Sequence, residues 1–229
     1  MSLRQNFLDI TKQIESVAER VGRDGGAIKL VAVSKTHTAE TVSQAIEAGM
    51  SVFGENRVQE GEEKISVVGV DSAEWHLIGH LQKNKARKAV QFFDVIQTLD
   101  SVDLAKRLER ICEEEKRASL SVLIQVDLAG ELTKTGIAED GIPSLIEYLQ
   151  TCNYLKLKGL MIVPPYSANL EKVRPYFRRL REIRDKIRKN GGFGNSSGEL
   201  SMGMSHDFEV AIEEGATIVR IGTAIFGAR

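Results

Sequence analysis

Residues 29–56 read KLVAVSKTHTAETVSQAIEAGMSVFGEN, and this stretch contains the unit from which the fold is built. Its first part, Lys29–Ser34, is rich in valine and leucine, which favours a β-strand. Ala39–Ala48 has helical spacing and is followed by Gly49, a common residue at helix C-termini. Ser51–Phe53 then predicts a second short strand. A strand, a helix and a strand in this order predict a parallel β-α-β unit.

The same alternation continues along the rest of the chain. An amphipathic helix precedes it, and eight strand–helix units in 229 residues predict one domain, residues 1–229. We expect an α/β protein, a single (β/α)8 TIM-type barrel with an extra N-terminal helix and no full eighth helix, so that the first helix covers the uncovered surface. A doubly wound open sheet is the alternative. The later strands are predicted at Trp75–Ile78, Val95–Leu99, Ser121–Asp127, Lys158–Val163, Glu199–Met202 and Thr217–Ile221.

The composition excludes several classes of function. The formal net charge is -1, which gives no overall field for nucleic acid or anionic lipid. The basic segment Arg174–Lys189 carries an apolar stripe and interspersed acids, which favours a helix packed on the barrel over an RNA-binding surface. No stretch approaches the ~20 apolar residues of a membrane helix, and no secretory signal is visible. We expect a cytoplasmic monomer that binds neither nucleic acid nor membranes.

Metal binding is not predicted. The two cysteines, Cys112 and Cys152, lie in separate helical segments without a CxxC spacing. His76 and His80 share a face of the third strand, but no carboxylate or cysteine is placed to complete a zinc site. Packing or a place in a pocket wall is the expected role of these histidines.

The residues at the carboxyl ends of the strands are the candidates for function, because active sites of such barrels lie there. Lys35 ends the first strand, Asn56 the second and His80 the third. Alternation along a strand places Val31, Val33 and Lys35 on one face, and Ile218, Arg220 and Gly222 on one face of the last strand. If both faces point inward, Lys35 and Arg220 converge near the mouth. An outward salt bridge against the helices is equally compatible with the sequence.

A phosphate site is predicted after the last two strands. Ser201-Met202-Gly203-Met204-Ser205 offers hydroxyls and unhindered backbone N–H groups, and Ser205 is placed to cap the next helix. Gly222 and Thr223 add another N–H and a hydroxyl. The glycine-rich segment 190–198 resembles a phosphate loop, but it follows a helix and precedes a strand. We therefore place it at the opposite end of the barrel, as a connection only.

Several segments together resemble one family, the pyridoxal 5'-phosphate (PLP) homeostasis proteins, which are small PLP-binding barrels. The resemblance spans nearly the whole chain, in the expected order, and it extends to the N-terminal barrel of alanine racemase and of PLP-dependent decarboxylases. Those enzymes add a β-domain for which this chain has no residues left. The matching segments are Ala32–Thr36 (AVSKT), Gly54–Glu60 (GENRVQE), Trp75–Gly79 (WHLIG), Leu81–Lys85 (LQKNK), Gly159–Met161 (GLM), Leu200–Ser205 (LSMGMS) and Val219–Gly227 (VRIGTAIFG).

The resemblance implies a cofactor and the residues that bind it. It implies that Lys35 forms a Schiff base with PLP, that Arg220 faces the pyridine nitrogen and that Asn56 lies close to the cofactor. The phosphate would be held by Ser201, Gly222 and Thr223, with backbone near Met202 and Gly203. The chain departs from the family where members often carry Lys-Pro, since it has His37 and Thr38 there. Lys134 lies where the family can place another lysine.

The expected function is therefore non-catalytic binding of PLP for intracellular PLP homeostasis, by buffering the cofactor or delivering it through transient contact with PLP-dependent apoenzymes. A PLP-dependent amino-acid racemase is the alternative, although Tyr166 is the only tyrosine expected near the mouth, where a second acid–base group would be needed. A Schiff-base aldolase acting on a sugar phosphate is a third possibility. No catalytic residue and no metal ligand is assigned.

Overall fold

Eight parallel strands close into a barrel in the computed structural model, which describes residues 2–130 and 135–227. Neighbouring strands follow the chain order, β1 pairs with β9, and β4 pairs directly with β5, so the sheet has no open edge. The predicted barrel is confirmed, and the open-sheet alternative is wrong. The two-residue β6 pairs only with the end of β5. The strands are β1 (Lys29–Val33), β2 (Val52–Glu55), β3 (Glu74–Leu77), β4 (Val95–Leu99), β5 (Leu120–Asp127), β6 (Ile137–Ala138), β7 (Leu155–Met161), β8 (Glu199–Met204) and β9 (Ile218–Ile221).

Helices surround the barrel and connect successive strands. Their buried faces form one continuous apolar layer with the outward-facing side chains of the strands. In α7 the apolar stripe is buried, as expected of a helix that packs on the barrel. The helices are α1 (Leu3–Arg20), α2 (Ala39–Glu47), α3 (Val58–Val68), α4 (Ala86–Phe92), α5 (Val102–Glu114), α6 (Ile142–Gln150), α7 (Arg174–Lys189), α8 (Phe208–Glu213) and α9 (Thr223–Phe226).

The N-terminal helix covers the surface beside the last strand. The Ser2 hydroxyl caps α1 by accepting from the backbone N–H of Gln5. The side chain of Asn6 donates to the carbonyl oxygen of Ile225 in α9 over 2.8 Å. Since α9 is only one turn long within the described residues, α1 takes the place of a full eighth helix, and this part of the prediction is confirmed.

The barrel interior is a separate small core. Val31 and Ile218 belong to this core, so the face of β1 that was predicted to include Lys35 and the face of β9 that includes Arg220 both point inward. Polar side chains lie above and beside this apolar layer, and they include the fully buried Gln97 and Ser201. The buried apolar members of the interior are Val31, Val95, Leu123, Met161 and Ile218.

Most strand bounds differ from the sequence prediction by one to three residues, and the differences in β7 and β8 change which residues form the barrel wall. β7 begins at Leu155 instead of Lys158, because the exposed Lys156 and Lys158 alternate with apolar residues and belong to the strand. β8 continues to Met204, with a shift of register against β9 between Ser201 and Met204. Gly203 has φ +93° at this irregularity, a conformation that favours glycine. Residues 202–204 therefore belong to the barrel wall.

Candidate functional site

A cavity of about 320 Å³ opens at the carboxyl ends of the strands. Its volume lies in the range of small-molecule sites, roughly 300–1,000 Å³. Five of the residues predicted to bind a cofactor line it: Lys35, Asn56, Arg220, Gly222 and Thr223. The remaining lining residues are Val33, His37, Ile78, Val163, Met204, Ser205, His206 and Gly227. The structure thus brings together residues from both ends of the chain.

A second cavity, of about 850 Å³, lies at the opposite end of the barrel. It is lined by the amino ends of the strands and by residues 191–197 of the glycine-rich segment, so this segment lies at the end where it was predicted. Lys29 and Glu74 at its wall form an ion pair with each other over 2.9 Å. The smaller cavity is the candidate functional site, because Lys35 and Arg220 line it and neither forms an ion pair with a described residue.

Lys35 lies directly after β1 with its side chain partly buried. Its ammonium group makes no hydrogen bond or ion pair with any residue that the structure describes. The next residue, Thr36, has φ +68°, a strained conformation for a β-branched residue. The Thr36 N–H donates to the carboxylate of Glu60, which holds the turn in this conformation. The turn therefore presents Lys35 to the cavity in a fixed direction.

A buried charge network supports this turn from the helix side. The ammonium of Lys64 on α3 lies 2.8 Å from both Glu55 and Glu60, and it donates to the carbonyl oxygen of Ser34 over 2.7 Å. The Ser34 hydroxyl donates to Glu55 over 2.6 Å. Burial raises the pKa of Glu55, while hydrogen bonds from Lys64 and Ser34 oppose that rise. The i,i+4 spacing of Glu60 and Lys64 is visible in the sequence, but their burial beneath the Lys35 turn is not.

Arg220 enters the cavity from β9 and is only 3% exposed. Its guanidinium donates to the Ser201 hydroxyl over 2.6 Å and to the carbonyl oxygen of Ile162 over 2.8 Å, and both acceptors are neutral. Burial lowers the pKa of Arg220 to about 10, although the charge of Asp207 opposes this shift. A guanidinium has five N–H donors, and a buried cation is unfavourable without an acceptor. The unused donors therefore favour an acceptor in the cavity.

Ser201 does not line the cavity. Its side chain is fully buried, accepts from Arg220 and donates to Gln97 Oε1 over 2.5 Å. Met202 and Gly203 are buried as well. These three residues lie in the barrel wall because β8 continues to Met204, and their contact with a phosphate stays a prediction.

The hydroxyl beside the cavity belongs instead to Ser205. Its Oγ accepts from the backbone N–H groups of Gly222 and Ala224 at 3.2 and 3.4 Å. Ser205 therefore caps the turn after β9 and not α8, which begins after Asp207. The Thr223 hydroxyl lies at the same place and makes no hydrogen bond to any described residue. The hydroxyls of Ser205 and Thr223, from two loops, thus converge on the cavity, and the N–H groups behind Ser205 leave its own proton available for an anion.

Asn56 is positioned by a close approach of two loops. A Cβ added to Gly79, which follows β3, would lie 2.1 Å from the backbone oxygen of Asn56. Only glycine permits this contact without movement of one loop. We expect Gly79→Ala to lower the free energy of unfolding by about 1–3 kcal/mol and to weaken ligand binding by displacing Asn56. Denaturant titration measures the first effect, and Gly26→Ala in an exposed turn is the control. Equal stabilities of the two variants would contradict this account.

Other residues singled out by the sequence lie outside the cavity or at its rim. His80 is exposed and lies 3.7 Å from Asp100. Tyr166 is 81% exposed, and its ring contacts that of His206 in a tilted arrangement, with 5.0 Å between centroids. His37 lines the cavity and stacks on Phe226. Lys134 lies outside the described residues.

The charge of the cavity indicates its ligand. The described residues that line it include the cations Lys35 and Arg220 and the two histidines His37 and His206, but no carboxylate. No described helix is long and apolar enough to cross a membrane. Within residues 2–130 and 135–227, no cluster of three or more His, Cys, Asp or Glu could hold a metal ion. The hydrogen-bond donors and positive charges of the cavity thus fit an anionic organic molecule whose atoms accept hydrogen bonds.

Comparison with known proteins gives consistent results. The family model for the N-terminal domain of alanine racemase matches residues 8–229. A curated relative named pyridoxal phosphate homeostasis protein, from Aquifex aeolicus (strain VF5), is 43% identical over 229 residues, which is 100% of this chain and 99% of the relative. The structure of PipY from Synechococcus elongatus PCC7942 with PLP bound has a TM-score of 0.84 and 33% identity, covering 99% of this chain and 100% of PipY. Alanine racemase from Corynebacterium glutamicum shares the fold, with a TM-score of 0.70 and 18% identity, over 100% of this chain and 64% of that enzyme.

Proposed function

The chain belongs to the pyridoxal phosphate homeostasis protein family, and we propose that it binds PLP at the barrel mouth and buffers or delivers this cofactor without catalysing a reaction. The observation that carries the proposal is the convergence of Lys35 and Arg220 on one cavity, which no carboxylate of a described residue lines. Relatives that match the full chain carry the homeostasis name, and PipY binds PLP. These findings support PLP as the ligand.

The lining residues match the chemical groups of PLP. Bound PLP would supply an aldehyde, a group that reacts with a neutral lysine amine. Lys35, whose amine has no described partner, would hold the cofactor in this way. Gly222, Thr223 and Ser205 offer donors for the phosphate, and Asn56 lies beside them in the wall. Ser201, Met202 and Gly203 would support this wall from behind, a role supported by their burial.

Arg220 favours storage of PLP over catalysis. Carbanion chemistry on PLP is strongest when an acidic partner keeps the pyridine nitrogen protonated. A guanidinium only donates hydrogen bonds, so Arg220 would leave that nitrogen unprotonated and the electron sink weak. Racemisation also requires an acid–base group on each face of the substrate. Among the described residues no tyrosine lines the cavity, and Tyr166 at the rim points its ring at His206.

Delivery requires that the cofactor can leave. The cavity opens to the surrounding solvent, and we propose a monomer that meets PLP-dependent apoenzymes through transient contacts. We keep the cytoplasm as the expected location, in line with the two unpaired thiols of Cys112 and Cys152.

Two measurements on one sample test the proposal. PLP is titrated into the apoprotein while visible absorption is recorded, and the loaded protein is then incubated with amino acids in deuterated water. We expect saturable uptake of one PLP and no exchange of the α-proton. Exchange of the α-proton would establish the racemase alternative, and failure to take up PLP would refute the proposal. Tighter binding of a sugar phosphate than of PLP would support the aldolase alternative.

A further inference from the structure

A continuous line of buried polar side chains crosses the barrel interior and connects the two cavities. It begins at Arg220 in the candidate site and passes through Ser201 on β8 to Gln97 on β4. Gln97 Nε2 lies 2.6 Å from His76 Nδ1, and His76 Nε2 lies 2.7 Å from Glu74. Gln97, Ser201 and His76 are each at most 1% exposed. A buried polar line of this length is costly unless each member is satisfied.

The donors and acceptors of these groups, with the Gln97 amide oxygen facing Ser201, give each hydrogen bond in the line a direction. The Arg220 guanidinium only donates, so the Ser201 oxygen accepts from it and its proton goes to Gln97 Oε1. The Gln97 amide nitrogen then faces His76 and must donate. Nδ1 of His76 is therefore the acceptor, and Nε2 carries the proton and donates to the Glu74 carboxylate.

The electrostatics of His76 agree with this neutral tautomer. Burial lowers the pKa of His76, and the charge of Lys29 lowers it further, while Glu74 and Asp94 oppose the shift. The hydrogen bond from His76 lowers the pKa of Glu74 to about 2, with Lys29 contributing and burial opposing. The line therefore ends on a carboxylate, which accepts from Lys29 at the far end of the barrel.

We propose that His76, Gln97 and Ser201 are positioning residues for the cofactor site, which hold the Arg220 guanidinium so that its unused N–H donors face the cavity. This inference rests on the proposed function. None of the three residues touches the cavity, so they act through Arg220. Ser201, predicted as a phosphate ligand, acquires a different role here.

Hydrogen bonding along the line couples the protonation of His76 to Arg220, whereas burial of the same side chains alone would not. A proton on His76 Nδ1 would turn that atom into a donor, and the Gln97 amide would have to reverse to accept it. The reversed amide would donate to Ser201, whose proton would lose its acceptor in Gln97. The tautomer of His76 and the orientation of Arg220 are therefore coupled through Gln97.

Two variants and a matched control separate positioning from general stability. Ser201→Ala removes the acceptor of Arg220, and we expect PLP binding to weaken about 10-fold, with a shifted visible band, since hydrogen bonds to charged groups are among the stronger ones. Gln97→Glu places two acceptors in the line, so we expect His76 to carry protons on both nitrogens at neutral pH. Thr11→Val is the control, because Thr11 lies on α1 and its partly buried hydroxyl donates to the Phe7 carbonyl oxygen, away from the line and the cavity.

The tautomer is read by nitrogen-15 NMR of the histidine ring in the wild-type protein and in Gln97→Glu, and PLP affinity by absorbance titration. Three results together support the proposal. The wild-type ring is neutral with its proton on Nε2, the ring in Gln97→Glu is doubly protonated, and only Ser201→Ala binds PLP more weakly. A wild-type ring protonated on Nδ1, or equal PLP affinity and spectra of Ser201→Ala and Thr11→Val, would overturn it. Failure of the wild type to take up PLP would instead remove the proposed function on which it rests.

Discussion

Replacing Lys35 with alanine is expected to abolish covalent uptake of PLP completely. The Lys35 ammonium has no hydrogen bond or ion pair with any described residue, and it shares the cavity with Arg220. Without its amine no other described lysine lines that cavity, so the visible band should be absent. Absorbance after PLP addition and removal of excess cofactor measures the effect.

The same variant should fold as well as the wild type. Because Lys35 makes no polar contact with a described residue, we expect its loss to change the free energy of unfolding by less than about 0.5 kcal/mol. Lys156→Ala, at an exposed lysine on the opposite end of the barrel, is the matched control and should keep the full band. A Lys35→Ala protein that retains the band would show that another lysine binds PLP.

Replacing Lys64 with methionine is expected to cause the largest loss of stability. Lys64 is buried and neutralises Glu55 and Glu60, so its removal leaves the fully buried Glu55 without a counter-charge. Removing one partner of a buried ion pair typically lowers the free energy of unfolding by about 3–5 kcal/mol. We expect a loss of about 3 kcal/mol in the free energy of unfolding, measured by denaturant titration near pH 8. PLP uptake should weaken as well. Ser34 loses its hydrogen bond from Lys64, and Glu60, which accepts from the Thr36 N–H, loses its ion pair.

The loss should depend on pH with a defined sign. Burial already raises the pKa of Glu55, and removal of Lys64 raises that pKa further. A carboxyl with a raised pKa binds its proton more tightly in the folded than in the unfolded protein, so acidification restores part of the stability. The difference between wild type and Lys64→Met should therefore be smaller near pH 5 than near pH 8.

Lys88→Met is the control for Lys64→Met. Lys88 pairs with Glu62 over 2.6 Å, but both side chains are exposed to solvent. Surface pairs of this kind contribute about 0–1 kcal/mol. Equal losses in the two variants would contradict the importance of the buried network.

The barrel could be predicted from the sequence, and the meeting of Lys35 with Arg220 could be predicted in part. Strand–helix alternation leaves few topologies, and closure makes the first and last strands neighbours. The period-two alternation of strands places Lys35 with Val31, and Arg220 with Ile218, on one face each, but only the structure shows that both faces point inward. Gly222 and Thr223 follow by position alone.

Sequence spacing could not show which serine reaches the cavity. The assignment of Ser201 and Ser205 depends on the register shift at Gly203, which keeps Ser201 inside the wall. It also could not show the line from His76 to Arg220, because Gln97 and Ser201 lie on strands that are not neighbours and meet across the interior. Such contacts arise only after closure of the barrel.

The most direct test of the central claim is borohydride reduction of the PLP-loaded wild-type protein, followed by mapping of the modified peptide. Reduction fixes the cofactor to the lysine that holds it. The account predicts one adduct, on Lys35. An adduct on any other lysine, or a protein that acquires none, would contradict it.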